Sequence, residues 1–573
     1  MFLRRVSVIL AHRCLGAVRR YGSDSTATVR DIIEKRITGV VPDKLNFSRD
    51  VVDYWADKER RNEKDRSHPA LRIIGLDGGE QRSINYTELS QMSKELAGGF
   101  VDQLSLTRDD RILICLSRCA EFWVAILAAL RAGIEFTTVT PQARTLDLRY
   151  RVEQFRATVV ISDKTGEFDE AECPGWPVKH KIQIKPSVSS HGWRSFDSLL
   201  GKQTLEAAAD TRAEDNALVF FTSGTTGTPK MVQHNHGYTL AHMISLTTFL
   251  HDMDQSSDLL CTADTGWAKT AYATFPAFMA GCSLVVDLDP RFNPSRLIKL
   301  IESHQITDVS SAPTVYRMML MNRNDVFKFP ALRRSYSGGE PLTAAVFEKW
   351  KSLAGVEIRE GYGQSESVVI LTTSKGDAIR PGSMGKCVPE YTVHIVDDSL
   401  RRLAPGEIGH LAVKVRPEKY PAGLFTGYKN NVEKTREVFR GDYYLTGDKA
   451  HVDNEGYFWF AMRADDVISS SGYRIGPDEV ERILNQHPQI AESAVIGVPD
   501  TTRGEVVKAF VVLKDANAAS DALQAELKNF TKERTAPYKY PRIIEFCESL
   551  PKTHTGKVQR HLLRQRSRTT TAN

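Results

Sequence analysis

Thr222, Ser223, Gly224, Thr225, Thr226, Gly227, Thr228, Pro229 and Lys230 follow directly on Asn216 to Phe221, an apolar run that reads as a buried strand. Glycines let successive backbone N–H groups turn toward one point, hydroxyls add donors, and Lys230 brings a mobile positive charge. A polyphosphate suits such a loop. The spacing is not that of a Walker P-loop, because Pro229 precedes the lysine and Met231 stands where a magnesium-binding hydroxyl would follow. Taken alone, the segment also reads as a hydroxyl-rich surface loop without a ligand.

Five further segments follow in order: Tyr336 to Leu342 (YSGGEPL), Glu360 to Glu366 (EGYGQSE), Tyr444 to Asp448 (YLTGD), Arg463 to Glu481, and Leu550 to Arg560 (LPKTHTGKVQR). With the loop, they resemble the adenylate-forming superfamily of acyl-CoA synthetases, luciferases and peptide-synthetase adenylation domains, from Asp43 to the tail. Ala263 to Tyr272 (ADTGWAKTAY), Ser310 to Met318 (SSAPTVYRM) and the run TAPYKYPR are similar to the mitochondrial medium-chain acyl-CoA synthetase family.

The resemblance implies an acid–thiol ligase acting on a medium-chain fatty acid, with aromatic acids such as benzoate as a further class. The acid would pass through an acyl-adenylate, with ATP and coenzyme A as co-substrates, Mg2+ as cofactor, and AMP and pyrophosphate as products. Thr222 to Lys230 would wrap the β- and γ-phosphates. Gly338, Gly339, Glu340 and Pro341 would wall the adenine pocket. Glu360, Gly361, Tyr362, Gly363, Gln364 and Ser365 would run past adenine and the α-phosphate. Asp448 would accept from the ribose hydroxyls, with Arg463 assisting. Glu366 would hold magnesium, since a hard cation prefers carboxylate oxygen.

Lys557 would reach the α-phosphate and the acid from the small domain, completing a catalytic set with Glu366 and Thr222. Rotation about Asp465 would then bring Ser471, Gly472, Tyr473 and Arg474 to the site, Gly472 leaving room for the pantetheine arm. Arg503, Lys532, Tyr540, Pro541 and Arg542 would hold the nucleotide end of coenzyme A. Trp267 and Ser365 would face the acyl substrate. Ser365 replaces the threonine common at its position but keeps the hydroxyl, so the same reaction is expected. Each residue also has a plainer reading: Glu366 as a helix N-terminal acid, Asp448 as a turn cap, Arg463 in a surface ion pair, Lys557 as a solvated basic. The ordered set is what favours chemistry.

The elements that must position these residues alternate. Helical patterns (Tyr86 to Leu104, Ala120 to Gly133) interleave with short apolar runs (Arg111 to Ser117, Ala157 to Asp163), as in layered α/β folds with parallel strands. From Tyr391 the texture is strand-rich, and after Asp465 it runs helix, strand, strand, helix. The expected fold is α/β. A large N-terminal domain (23–464) would hold layered mixed and parallel sheets with helices plus a small β-barrel-like part, and a smaller mobile α+β domain (465–573) would follow.

A chain of 573 residues exceeds one ordinary core, and 41% apolar with 26% charged residues is a globular composition. A net charge of +5 argues against a general nucleic-acid surface. No apolar run reaches the roughly 20 residues of a spanning helix. The eight cysteines lack zinc spacing and read as buried thiols in a reducing compartment. His234, His236 and His242 have no nearby carboxylate or thiol in sequence, so no metal is expected there.

Arg4, Arg5, Arg13, Arg19 and Arg20 all precede the first acid, Asp24. This is a mitochondrial presequence pattern over 1–22, and it implies the matrix; a basic first helix or a secretory signal are its rivals. A monomer is expected. Two other functions compete: an adenylation domain serving a carrier protein, and a non-catalytic nucleotide- or acyl-binding relative. No carrier-like segment follows Lys557, and Glu366 and Lys557 are both present.

Overall fold

The computed structural model describes residues 27–171, 173, 175–184, 192–222, 229–321, 325–340, 342–416, 420–463, 466–551 and 558–570, with backbone alone for Met462, Arg463, Asp478 and 568–570. The presequence expectation lies outside them.

Two large sheets are mostly parallel. In one of eight strands, Trp193–Ser195, His180–Gln183, Val159–Ser162, Arg111–Cys115, Glu135–Thr138 and Asn216–Thr222 run side by side in parallel. Lys230–Asn235 and Gly427–Tyr428 then add antiparallel at one edge. Ile112, Ile114, Val159 and Ile161 are fully buried, which is why these strands read as continuous apolar runs. The crossover helix Ala120–Ala132 is apolar on nearly every face and almost wholly buried.

The second sheet has nine strands. Leu71–Ile74, Ser283–Asp287, Asp258–Cys261, Asp308–Ser311, Arg334–Ser337 and Ile358–Tyr362 form its parallel centre. A third, antiparallel sheet of five strands spans Val393–Val396 to Phe458–Arg463. One apolar core joins all three sheets, containing Ile73, Ile112 and Leu411 alike.

The helical pattern over Tyr86 to Leu104 divides in the structure. An Asn85–Glu88 capping box opens Tyr86–Gly98, and a π-helical turn, Gly99–Gln103, follows. At Gly98 and Gly99 an added Cβ would stand 2.7 Å from the carbonyl oxygens of Gln203 and Leu199. The close approach of a neighbouring backbone explains the glycine pair.

Beyond Ile468 the expected order is present: helix Pro477–Leu484, antiparallel strands Ile490–Asp500 and Gly504–Leu513, helix Asp521–Arg534. The structure adds a hairpin (Ile468–Ser470 with Tyr473–Ile475), a parallel strand Ile543–Phe546 and a last helix Arg560–Thr570. This unit has its own apolar clusters, around Val495, Val507 and Leu527 and around Phe510 and Leu563.

Candidate functional site

Thr222 and Lys230 face each other directly across the hairpin that opens the hydroxyl-rich loop. Ser223 to Thr228 lie outside the described residues. Pro229 accepts a hydrogen bond at its carbonyl from Tyr150 Oη (3.1 Å), and Lys230 Nζ stands 5.3 Å above the Tyr428 ring. Tyr428 in turn donates to Glu366 Oε1 (2.9 Å). Glu366 is 5% exposed, and its Oε2 is buried with no hydrogen-bond partner. An orphaned buried acceptor costs about 1–3 kcal/mol. Glu366 therefore fits a hard cation. Sequence reading missed Tyr428, whose run (Gly423 to Asn430) lies outside the recognised motifs; the structure laces that run to the hairpin through Thr426 N–H and the Gln233 carbonyl (2.8 Å).

The strand Ile358–Tyr362 delivers the second group. Burial raises the Glu360 carboxyl to about 8, against the opposing Leu342 N–H that it accepts at 3.3 Å. Tyr362 Oη and Gln364 Nε2 donate to Asp448 Oδ2 at 2.5 and 2.9 Å, and Tyr444 Oη donates to Gln364 Oε1. Asp448 stands opposite Arg463 in the antiparallel ladder. The structure thus gathers Tyr362, Gln364, Asp448 and the backbone of Arg463. Gly361 and Gly363 pack against Phe249 and Tyr272. Pro341, Asp465 and Lys557 lie outside the described residues.

The Gly338 carbonyl accepts from Lys269 Nζ (2.9 Å), and burial lowers that ammonium to about 8. Gly339 follows with a φ of +96°. Glu340 is a strut: its carboxylate is held by Arg317 Nη2 (3.0 Å) and by the Thr314 N–H (2.9 Å). The Ser365 carbonyl pairs with His234 Nε2 (2.7 Å). Burial lowers His234 and His242 to about 3 and His236 to about 4, leaving all three neutral.

From the small unit, the turn at Ser471 and Gly472 has φ of +52° and +80°, as in a type I′ hairpin. It points at the large unit. A Cβ on Gly472 would lie 3.4 Å from Ala312 Cβ and 3.9 Å from Glu340 Oε1. Tyr473 stacks on Tyr538 (centroids 4.0 Å apart) and meets Trp267 edge-on at 4.5 Å. Arg474 pairs with Ser469 across the hairpin. Arg503 Nη1 reaches Ser471 Oγ (3.4 Å). Arg542 and Lys532 flank the Tyr540 ring at 4.6 and 5.9 Å, beside buried Pro541. Burial, then the charge of Arg503, depress the Arg542 guanidinium. An anionic ligand would relieve that crowding of cations.

Residues 58–428 match the AMP-binding enzyme family, and 479–557 match the AMP-binding enzyme C-terminal domain. The chain is 41% identical over 532 residues to acyl-coenzyme A synthetase ACSM3, mitochondrial, of Homo sapiens, covering 92% of this chain and 90% of that one. Its fold is similar to an acyl-CoA synthetase of Brucella canis (TM-score 0.67, 28% identity, 94% and 98% of the two chains). It is also similar to the anthranilate CoA ligase AuaEII in complex with anthranoyl-AMP (TM-score 0.65, 28% identity, 93% and 99%). The chain belongs to the AMP-binding enzyme family and, within it, to the acyl-coenzyme A synthetases.

Proposed function

We propose that the chain activates a medium-chain carboxylic acid, with aromatic acids such as benzoate as a second class, and transfers the acyl group to coenzyme A. The observation that carries this reading is a chain of contacts among the motif residues, with a turn of the small unit packed beside Trp267. On the large unit Lys230 lies over Tyr428, which donates to Glu366, and Tyr362 donates to Asp448; the Ser471–Tyr473 turn of the small unit abuts Trp267 and Ala312.

A carboxylate resists thiol attack because its charge and resonance oppose a nucleophile; an acyl-adenylate carries a good leaving group instead. The barrier to making it is contact between two anions, the acid and the α-phosphate, and positioned cations and dipoles lower that barrier. Lys230 and the hydroxyls from Thr222 to Thr228 would orient the β- and γ-phosphates. Glu366 would hold Mg2+ together with phosphate oxygens, and the ion would supply neutralising charge for the departing pyrophosphate. Gly338 to Pro341 and Glu360 to Ser365 would frame adenine, and Asp448 and Arg463 the ribose. Lys557 would bridge the acid and the α-phosphate.

Thioester formation would follow rotation of 465–573 against 23–464 about Asp465. The turn facing Ala312 supports reading the described orientation as the thioester-forming one. Pantetheine would pass Gly472, and Arg503, Lys532, Tyr540, Pro541 and Arg542 would hold its nucleotide. Trp267 and Ser365 would line the acyl pocket. Relatives named mitochondrial and the Arg-rich stretch over 1–22 support a mitochondrial address; the matrix as its compartment and a monomer as its form are further parts of the proposal.

Pyrophosphate release from ATP, measured with acids from acetate to palmitate plus benzoate, with and without coenzyme A, tests the proposal. Medium-chain acids should give the highest turnover, with thioester formed only when coenzyme A is present. Release with no acid in the panel would contradict it.

A further inference from the structure

The helix Thr145–Phe155 carries Asp147 in its first turn. Across the junction, Lys539 of the small unit is 4% exposed, with Nζ 2.7 Å from Glu479 of its own unit and 3.6 Å from Asp147. Burial opposes the ammonium, yet Asp147 and then Glu479 outweigh that cost, so its pKa lies above the ordinary lysine value. Arg151, one turn on from Asp147, adds a second cation near enough to act on Lys539. The four formal charges balance.

The same helix is fixed to the large sheet. Arg151 lies 4.7 Å over the Phe221 ring, and Tyr150 Oη donates to the Pro229 carbonyl. Asp147 is therefore held rigidly relative to the strand ends that frame the site. The roles assigned to phosphate, adenine, ribose and coenzyme A residues leave Asp147 unused. Its cross-junction partner is Lys539, met in the orientation that brings Gly472 to Ala312.

We propose that Asp147 is a positioning residue for thioester formation: it receives Lys539 and so holds the small unit with the Ser471–Tyr473 turn at the acyl pocket. A buried ammonium that loses one of its carboxylates is left undercompensated, so the docked arrangement discriminates sharply in favour of the aspartate. When the small unit turns away, both groups regain water. The proposal rests on the two-step ligase reading above.

The test compares full-length wild type, Asp147→Asn and Asp147→Glu in each half-reaction separately. Acid-dependent exchange of pyrophosphate into ATP reports adenylation; conversion of supplied acyl-AMP and coenzyme A reports thioester formation. Asp147→Asn should slow the second about ten-fold while the first stays within about two-fold, and Asp147→Glu should recover most of the loss. The readout is the ratio of the two rates, which partial unfolding does not move because it scales both. An unchanged ratio in Asp147→Asn, with a wild type competent in both steps, overturns the docking role alone. A wild type that runs neither half-reaction overturns the ligase reading and this proposal with it.

Discussion

Glu366 presents one carboxylate oxygen to Tyr428 and leaves the other buried without a donor. Replacing it by glutamine keeps the volume and removes the charge. Glu366→Gln should lower the rate of adenylation about 100-fold and blunt its response to a Mg2+ titration, with the unfolding midpoint held or raised. Wild-type pyrophosphate release at every Mg2+ concentration would remove its role. Near it, burial holds His234 and His242 at about 3 and His236 at about 4, from 6.5. Between those values the unfolded chain binds protons that the folded chain does not. Their stabilisation is thus complete above pH 6.5 and is lost on acidification. Glu360, raised to about 8 from 4.5, works the other way, but one carboxyl opposes three imidazoles. Denaturant melts should show about 2 kcal/mol less stability at pH 5.5 than at pH 6.5; equal or greater stability at the lower pH would contradict this.

At the scale of elements, the hairpin that sets Thr222 against Lys230 ends a parallel strand, and its cation lies over Tyr428. Lys230→Ala should raise the KM for ATP about ten-fold with little change in thioester formation from supplied acyl-AMP, since a lost phosphate contact is worth about 1–2 kcal/mol. An unaltered KM would move the polyphosphate elsewhere. Part of this element was legible: "NALVFF" reads as a strand, and the motif from Glu360 to Glu366 leads to Asp448 and its neighbours. Tyr428 was not legible, because its hydroxyl meets Glu366 only through tertiary packing of a short edge strand. The sequence assigns no element to Ser471 and Gly472; the structure makes them the two-residue turn of a hairpin. The Gly98–Gly99 pair was hidden for the same reason, since periodicity reports a helix face and not the backbone that crosses it.

For the whole molecule, the polar ties between the two units among the described residues include Arg317 Nε to the Thr502 carbonyl (2.9 Å), Gln142 to Tyr473 (3.4 Å) and Lys539 to Asp147. No sequence pattern joins Asp147 to Lys539, because nothing local records which charge lies across a junction. Polar ties of this kind can break and re-form in water, as a unit that changes place between half-reactions requires. Lys557→Ala should cut adenylation about 100-fold or more and spare conversion of supplied acyl-AMP to acyl-CoA; equal loss of both steps would take the lysine out of the first one.

The proposed chemistry is a covalent acyl-adenylate made at one site and consumed there by a thiol. Mass spectrometric quantification of products from octanoate, ATP and Mg2+, with and without coenzyme A, tests it most directly. Octanoyl-AMP bound to the protein should be found without coenzyme A, and AMP and octanoyl-CoA in equal amounts with it. ADP and phosphate as products, or AMP with no thioester, would contradict it.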